Sequence, residues 1–144
     1  MKTLISILAI VIGVFFIYKG YGKLTSNKLK PIDKELLIQN IAENNSYEAP
    51  IGYNITMNTF KQSGYLAMIS IFQMIAGILI IIPATRFLGL LLLLPIIFNI
   101  FFMHLFFDNR MDENILTGSL LLLNIILLLP YNQKLFDIIK VEEK

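Results

Sequence analysis

The chain has 144 residues, 56% hydrophobic and 15% charged, with a formal net charge of +2 and no cysteine. Its apolar residues gather in four blocks whose long apolar runs, residues 4–18 in the first, carry no formal charge, which excludes a soluble globular core and points to an integral membrane protein. The lack of cysteine excludes thiol relays, disulfides and cysteine-held metals, and no basic stripe supports nucleic-acid binding.

The first block, residues 3–21, follows Lys2 and closes on Tyr18, Lys19, Tyr21 and Lys23. Aromatic rings and snorkelling lysines suit a bilayer interface. Lys19 and the bulky Tyr21 are poor neighbours for a cleavage site, so a retained helix is expected rather than a removed signal.

Residues 24–62 form one long connection, expected on the extracytoplasmic side. Within it the run from Asp33 to Ile41, after Pro31, predicts an amphipathic helix that either lies over the mouth of the bundle or serves only as a connector. Two triplets, Asn44-Asn45-Ser46 and Asn54-Ile55-Thr56, match glycosylation sequons, a match too common by chance to bear on function.

The second span is expected over residues 64–83. There Ser63, Leu66, Ser70, Gln73 and Gly77 follow alternating steps of three and four, which sets small and polar groups on one stripe facing the interior. Pro83-Ala84-Thr85-Arg86 predicts a tight reversal into a third span at residues 87–107. Pro95 cannot donate to the Leu91 carbonyl and should loosen that helix one turn from Asn99. Asp108 to Asn114 reads as a short polar turn before a fourth span at residues 115–130. The tail, residues 131–144, places Leu135, Phe136, Ile138 and Ile139 among charges, as a short interfacial helix would.

The expected fold is all-α, a single membrane domain built as a four-helix bundle with antiparallel neighbours, because open sheets cannot span lipid. An even number of spans puts both termini on one side. Lys and Arg number five on that side and seven on the other, a count that the long first loop leaves undecided; cytoplasmic termini are the expectation.

Gln73, Asn99 and Asn124 each interrupt an apolar span. Counted at ~1.5 Å per residue from the extracytoplasmic boundary, all three lie about 12 to 14 Å deep. Amides at one level either clamp helices together, at about 0.6 kcal/mol per contact, or line a shared polar pocket. His104, the single histidine, falls one turn inside the same boundary, near Lys19 and Lys23. With Phe101, Phe102, Phe106 and Phe107 as apolar walls, this cationic mouth suits a quinone carbonyl or an anionic group. Lys23, Gln73, Asn99 and His104 are therefore the candidate ligand-binding residues, and Lys19, Ser70, Arg86 and Asn124 are secondary candidates.

Gly20-Tyr21-Gly22-Lys23-Leu24 at the end of the first span resembles the glycine-x-x-lysine signature of DoxX-like membrane proteins. Gln73-Met74-Ile75-Ala76-Gly77, Arg86 after a short turn, and His104 late in the third span are similar to that family's further landmarks. The resemblance covers nearly the whole chain through short motifs. It implies a four-helix bundle in the bacterial inner membrane with cytoplasmic termini, in a family that includes proteins linked to quinone-coupled sulfur oxidation and to terminal oxidase complexes.

Two departures limit what is carried over. Gln73 stands where the family often has glutamate, and an amide cannot carry a proton as a carboxylate can. The lack of cysteine removes the disulfide exchange of cysteine-bearing four-helix relatives. One histidine cannot supply two axial haem ligands, and neither a carboxylate cluster nor a nucleophile motif is present, so no haem, iron–sulfur centre, zinc or complete catalytic set is expected from this chain alone. Two functions stay open: a membrane subunit or accessory protein of a quinone-linked redox system that binds an amphiphile, and a noncatalytic scaffold that binds a membrane protein partner.

Overall fold

The computed structural model of the chain describes residues 2–25, 35 and 51–139, and all regular structure among them is helical. Helix α1 is Lys2–Thr25, α2 Ile51–Gln62, α3 Tyr65–Ile81, α4 Arg86–Met103, α5 Met111–Leu128 and α6 Asn132–Ile139. A π turn, His104–Asp108, continues α4, and a 3-10 turn, Leu129–Tyr131, joins α5 to α6. Among the described residues, three stretches, Thr3–Thr25, Arg86–Asp108 and Met111–Lys134, are long and apolar enough to cross a membrane. The segments Gly52–Gln62 and Tyr65–Ile81 meet that test only as a pair bent by 80°.

These bounds correct several expectations. The first helix runs on to Thr25, so Lys23 belongs to its last turn. At 17 residues α3 is ~26 Å long, shorter than the ~30 Å hydrocarbon core. The polar turn from Asp108 to Asn114 shrinks to Asn109 and Arg110, because Asp112 and Glu113 occupy the first turn of α5, where the helix dipole favours carboxylates. Within the connection the described helix is α2. The helix expected at residues 33–41 lies, apart from Glu35, outside the described residues, as do residues 140–144 of the tail.

The sharp bend before α3 is made at Gly64, whose φ of 79° is a left-handed conformation that glycine adopts without strain. Across it Phe60 packs on Tyr65 with ring centroids 4.7 Å apart. Helix α2 is thereby turned across the end of α3 rather than along its axis.

The most extensive helix contact is that of α1 with α3, followed by α3 with α4 and then α4 with α5. The α1 to α3 contact is close because glycines face it. A Cβ on Gly77 would lie 2.6 Å from the Gly13 carbonyl oxygen, and one on Gly20 would lie 2.8 Å from that of Ser70. Helices this near gain dispersion contacts that larger side chains would prevent. On α3 the buried face is Leu66, Ser70, Gln73, Ala76, Gly77 and Ile80, which carries the stripe read from spacing; Ser63 alone falls outside it, in the turn.

The reversal after α3 is fixed by side chains that cap it. Thr85 Oγ1 donates to the Leu79 carbonyl at 2.9 Å and Arg86 Nε to the Ile80 carbonyl at 3.0 Å. Both carbonyls belong to the last turn of α3, where acceptors lack intrahelical partners and the dipole favours a cation. Ala9, Ile12 and Phe16 of α1, Ala76 and Ile80 of α3, Leu90, Leu93 and Ile97 of α4, and Leu127 and Leu128 of α5 form the buried apolar core.

Candidate ligand site at the Lys23 end

Gly20 lets α1 approach α3, and one turn later Lys23 Nζ donates to Gln73 Oε1 at 3.3 Å. Gln73 is 1% exposed. The lysine stem follows the apolar helix surface inward while its ammonium takes the amide oxygen, a geometry that leaves the Gln73 amide nitrogen available as a donor.

A cavity of about 200 Å³ opens beside this pair. Lys19, Lys23, Tyr53, Gln73, His104, Glu113 and Thr117 supply its polar lining, and Phe15, Phe16, Ile97, Ile100, Leu116 and Leu120 its apolar lining. Five helices, α1 to α5, and the π turn therefore meet there. Lys19 Nζ also stands 5.7 Å from the centre of the Phe15 ring, a cation–π distance.

His104 owes its orientation to the π turn. The Asn109 amide donates to the His104 carbonyl at 2.6 Å, the i to i+5 bond of a π turn, and Asn109 closes it with a φ of 52°. The wider turn carries Asp108 back under the imidazole, so that His104 Nδ1 donates to Asp108 Oδ2 at 2.8 Å. Arg110 grips the same carboxylate with Nε at 2.8 Å and a terminal nitrogen at 3.0 Å. Asp108 is 2% exposed, and its hydrogen bond holds the Arg110 guanidinium above its already high ordinary value. A buried carboxylate needs such partners to stay charged. With Nδ1 committed as a donor, neutral His104 presents Nε2 as an acceptor. The site then offers donors at Lys23 and Gln73 and the free ring nitrogen of His104.

Tyr53 is the residue the sequence reading missed. Its ring lies 5.4 Å from that of His104, tilted by 41°, and it closes the cavity from α2. The signal was the spacing of Tyr53, Met57 and Phe60, which puts three large side chains on one helical face. Asn54, Thr56, Asn58 and Thr59 between them have low helix propensity and masked it.

Asn99 does not join the amide layer. It is exposed on α4, because the buried face of that helix runs through Gly89, Leu90, Leu93 and Ile97 and Asn99 falls about 200° round from Ile97. Gly89 sits against the Ala76 carbonyl oxygen and the Ile80 nitrogen, which also puts α4 about one turn out of the register that would bring Asn99 level with Gln73. Asn99 instead lines a smaller cavity of about 70 Å³ together with Lys23, Tyr53 and His104. Asn124 is buried and donates Nδ2 to the Leu90 carbonyl at 3.2 Å, which makes it a clamp between α5 and α4. Its Oδ1 has no hydrogen-bond partner. Ser70 Oγ returns to the Leu66 carbonyl at 2.7 Å inside the α1 contact. Arg86 lies at the other end of α4, 18 residues or ~27 Å from His104, where it also donates to Ser6 Oγ at 3.2 Å. Among the described residues no group of three or more His, Cys, Asp or Glu side chains is placed to hold a metal ion.

Comparison of the chain with protein-family models, with curated proteins and with solved structures finds no match.

Proposed function

We propose that the chain is a DoxX-like four-helix bundle of the bacterial inner membrane, with both termini cytoplasmic, that binds a quinone or similar amphiphile at the Lys23 end as an accessory subunit of a quinone-linked redox system. The observation that carries this reading is the meeting of Lys23, Gln73 and His104 on one part-apolar cavity. Three of the landmarks of the family resemblance thus share one site, and Gly20 is the reason Lys23 reaches it. Donors beside an imidazole nitrogen, a group that accepts when neutral and donates when protonated, suit a head group that cycles between carbonyl and hydroxyl, and Phe15, Phe16, Ile97 and Ile100 suit its ring. No covalent step is assigned to the chain. The partner that would exchange electrons with the bound head is another membrane protein.

A short-chain benzoquinone titrated into the detergent-solubilised protein tests this. Lys23→Ala and His104→Ala should each weaken binding about tenfold or more, corresponding to about 1.4 kcal/mol, while thermal unfolding stays cooperative. Unchanged affinity in both variants would remove the site.

A scaffold reading is favoured by a separate observation, the Asn124 clamp together with the glycine-lined contact of α1 and α3, where the small residues leave no volume. It expects a stoichiometric membrane protein partner and no retained amphiphile.

A further inference from the structure

The cavity beside Gln73, at about 200 Å³, is smaller than the roughly 300 to 1,000 Å³ that encloses a whole drug-sized ligand. A head group fits and a tail does not. Two further spaces continue from it in an ordered way. The 70 Å³ cavity shares Lys23, Tyr53, Ile100 and His104 with the inner one. It shares Ile69 and Asn99 with an outer groove of about 280 Å³ between α3 and α4, walled by Met68, Phe72, Leu92, Pro95 and Ile96. The outer groove is open and mostly apolar, and Tyr65, Met68 and Phe72 beside it are among the exposed hydrophobic residues.

Asn99 sits at the junction of the inner passage and the groove. It is an exposed amide on an apolar span, which lipid tails alone cannot satisfy. We propose that the site opens sideways into the bilayer between α3 and α4, that its ligand is a single-tailed amphiphile with a carbonyl, hydroxyl or carboxylate head, and that the tail lies in the outer groove. The head passes Asn99 on the way in and exchanges lipid surroundings for that amide before it reaches Lys23 and Gln73. Tyr53 covers the passage from the aqueous side, so access from the membrane does not require α2 to lift. This inference rests on the proposed ligand site and adds its route and the shape of its occupant.

The test uses the full chain in lipid nanodiscs with two photoreactive probes, each with a diazirine on the tail and a second on the head: one benzoquinone-headed, one a fatty acid. Crosslinks are mapped by mass spectrometry. Tail crosslinks at Phe72, Pro95 or Ile96 with head crosslinks at Tyr53 or His104 are expected, and the probe that gives both identifies the head chemistry. Ile96→Trp, which fills the groove, should lower head crosslinking at least fivefold, and Asn99→Leu should slow its onset. If Ile96→Trp does not fold, the wild-type crosslink pattern with Asn99→Leu decides. Head crosslinks in the inner cavity without tail crosslinks in the groove, or head crosslinks unchanged in a folded Ile96→Trp protein, would overturn the lateral route and leave the ligand site standing. Absence of head crosslinks with both probes would overturn the site itself, and the route with it.

Discussion

Lys23 and Gln73, fifty positions apart in the chain, meet through a 3.3 Å hydrogen bond at the inner edge of a cavity. The bond joins the last turn of α1 to the middle of α3 and gives a buried amide its acceptor role. Gln73→Leu removes that role and should destabilise the protein by about 1 to 3 kcal/mol, the usual cost of leaving a buried partner unmatched. Gln73→Glu keeps the acceptor and adds a charge opposite the ammonium, so it should hold or raise the melting temperature. Thermal unfolding in detergent checks both, and an equal loss in the two variants would contradict the account.

The glycines of the α1 to α3 contact separate by neighbourhood. Gly77→Ala places a Cβ 2.6 Å from backbone at Gly13 and should cost about 1 to 3 kcal/mol as the helices part. Gly22→Ala meets nothing within 4 Å and should be neutral or stabilising by about 0.5 to 1 kcal/mol, because alanine is the better helix former. Denaturation of the three proteins measures the difference directly.

The amides are expected to divide in the same way. Asn124→Ala loses the bond to Leu90 and opens a space in the core, for about 1 to 3 kcal/mol in all. Asn99→Leu replaces an exposed amide on an apolar face with a lipid-compatible side chain and should leave stability unchanged or higher. Loss of stability in Asn99→Leu matching that in Asn124→Ala would restore the single amide layer that the register rules out.

Asp108 holds the π turn together. Asp108→Asn weakens the grip of Arg110 and the bond to His104, and should cost about 1 to 3 kcal/mol, less than a fully buried pair because Arg110 is partly exposed. Its second effect is on binding, since His104 loses the partner that fixes its Nδ1 as donor. Quinone affinity should fall in Asp108→Asn even in protein that remains folded; intact affinity would detach the π turn from the site.

Much of this was legible in the sequence because membrane helices announce themselves. Four apolar blocks, Gly64 before one of them and Pro83 after it marked where α3 and its neighbours begin and end, and steps of three and four put Ser70, Gln73 and Gly77 on the buried face. Depth was not legible. Counting from block ends treated residues 64, 107 and 115 as one level, whereas the contact of Gly89 with Ala76 and Ile80 shifts α4 by about one turn, and Asn99 leaves the layer. The π turn was equally hidden, since nothing in the run from His104 to Asp108 separates an i to i+5 bond from an ordinary helical one. Helix α2 was missed because its apolar face is interleaved with asparagine and threonine, and with it went Tyr53.

The most direct measurement is native mass spectrometry of gently extracted wild-type protein and the His104→Ala variant, scored for retained small molecules and for copurifying chains. A quinone or other single-tailed amphiphile is expected on the wild type and should be lost from folded His104→Ala. A ligand-free wild type bound to a stoichiometric protein partner, or a ligand held equally by both forms, would contradict that expectation.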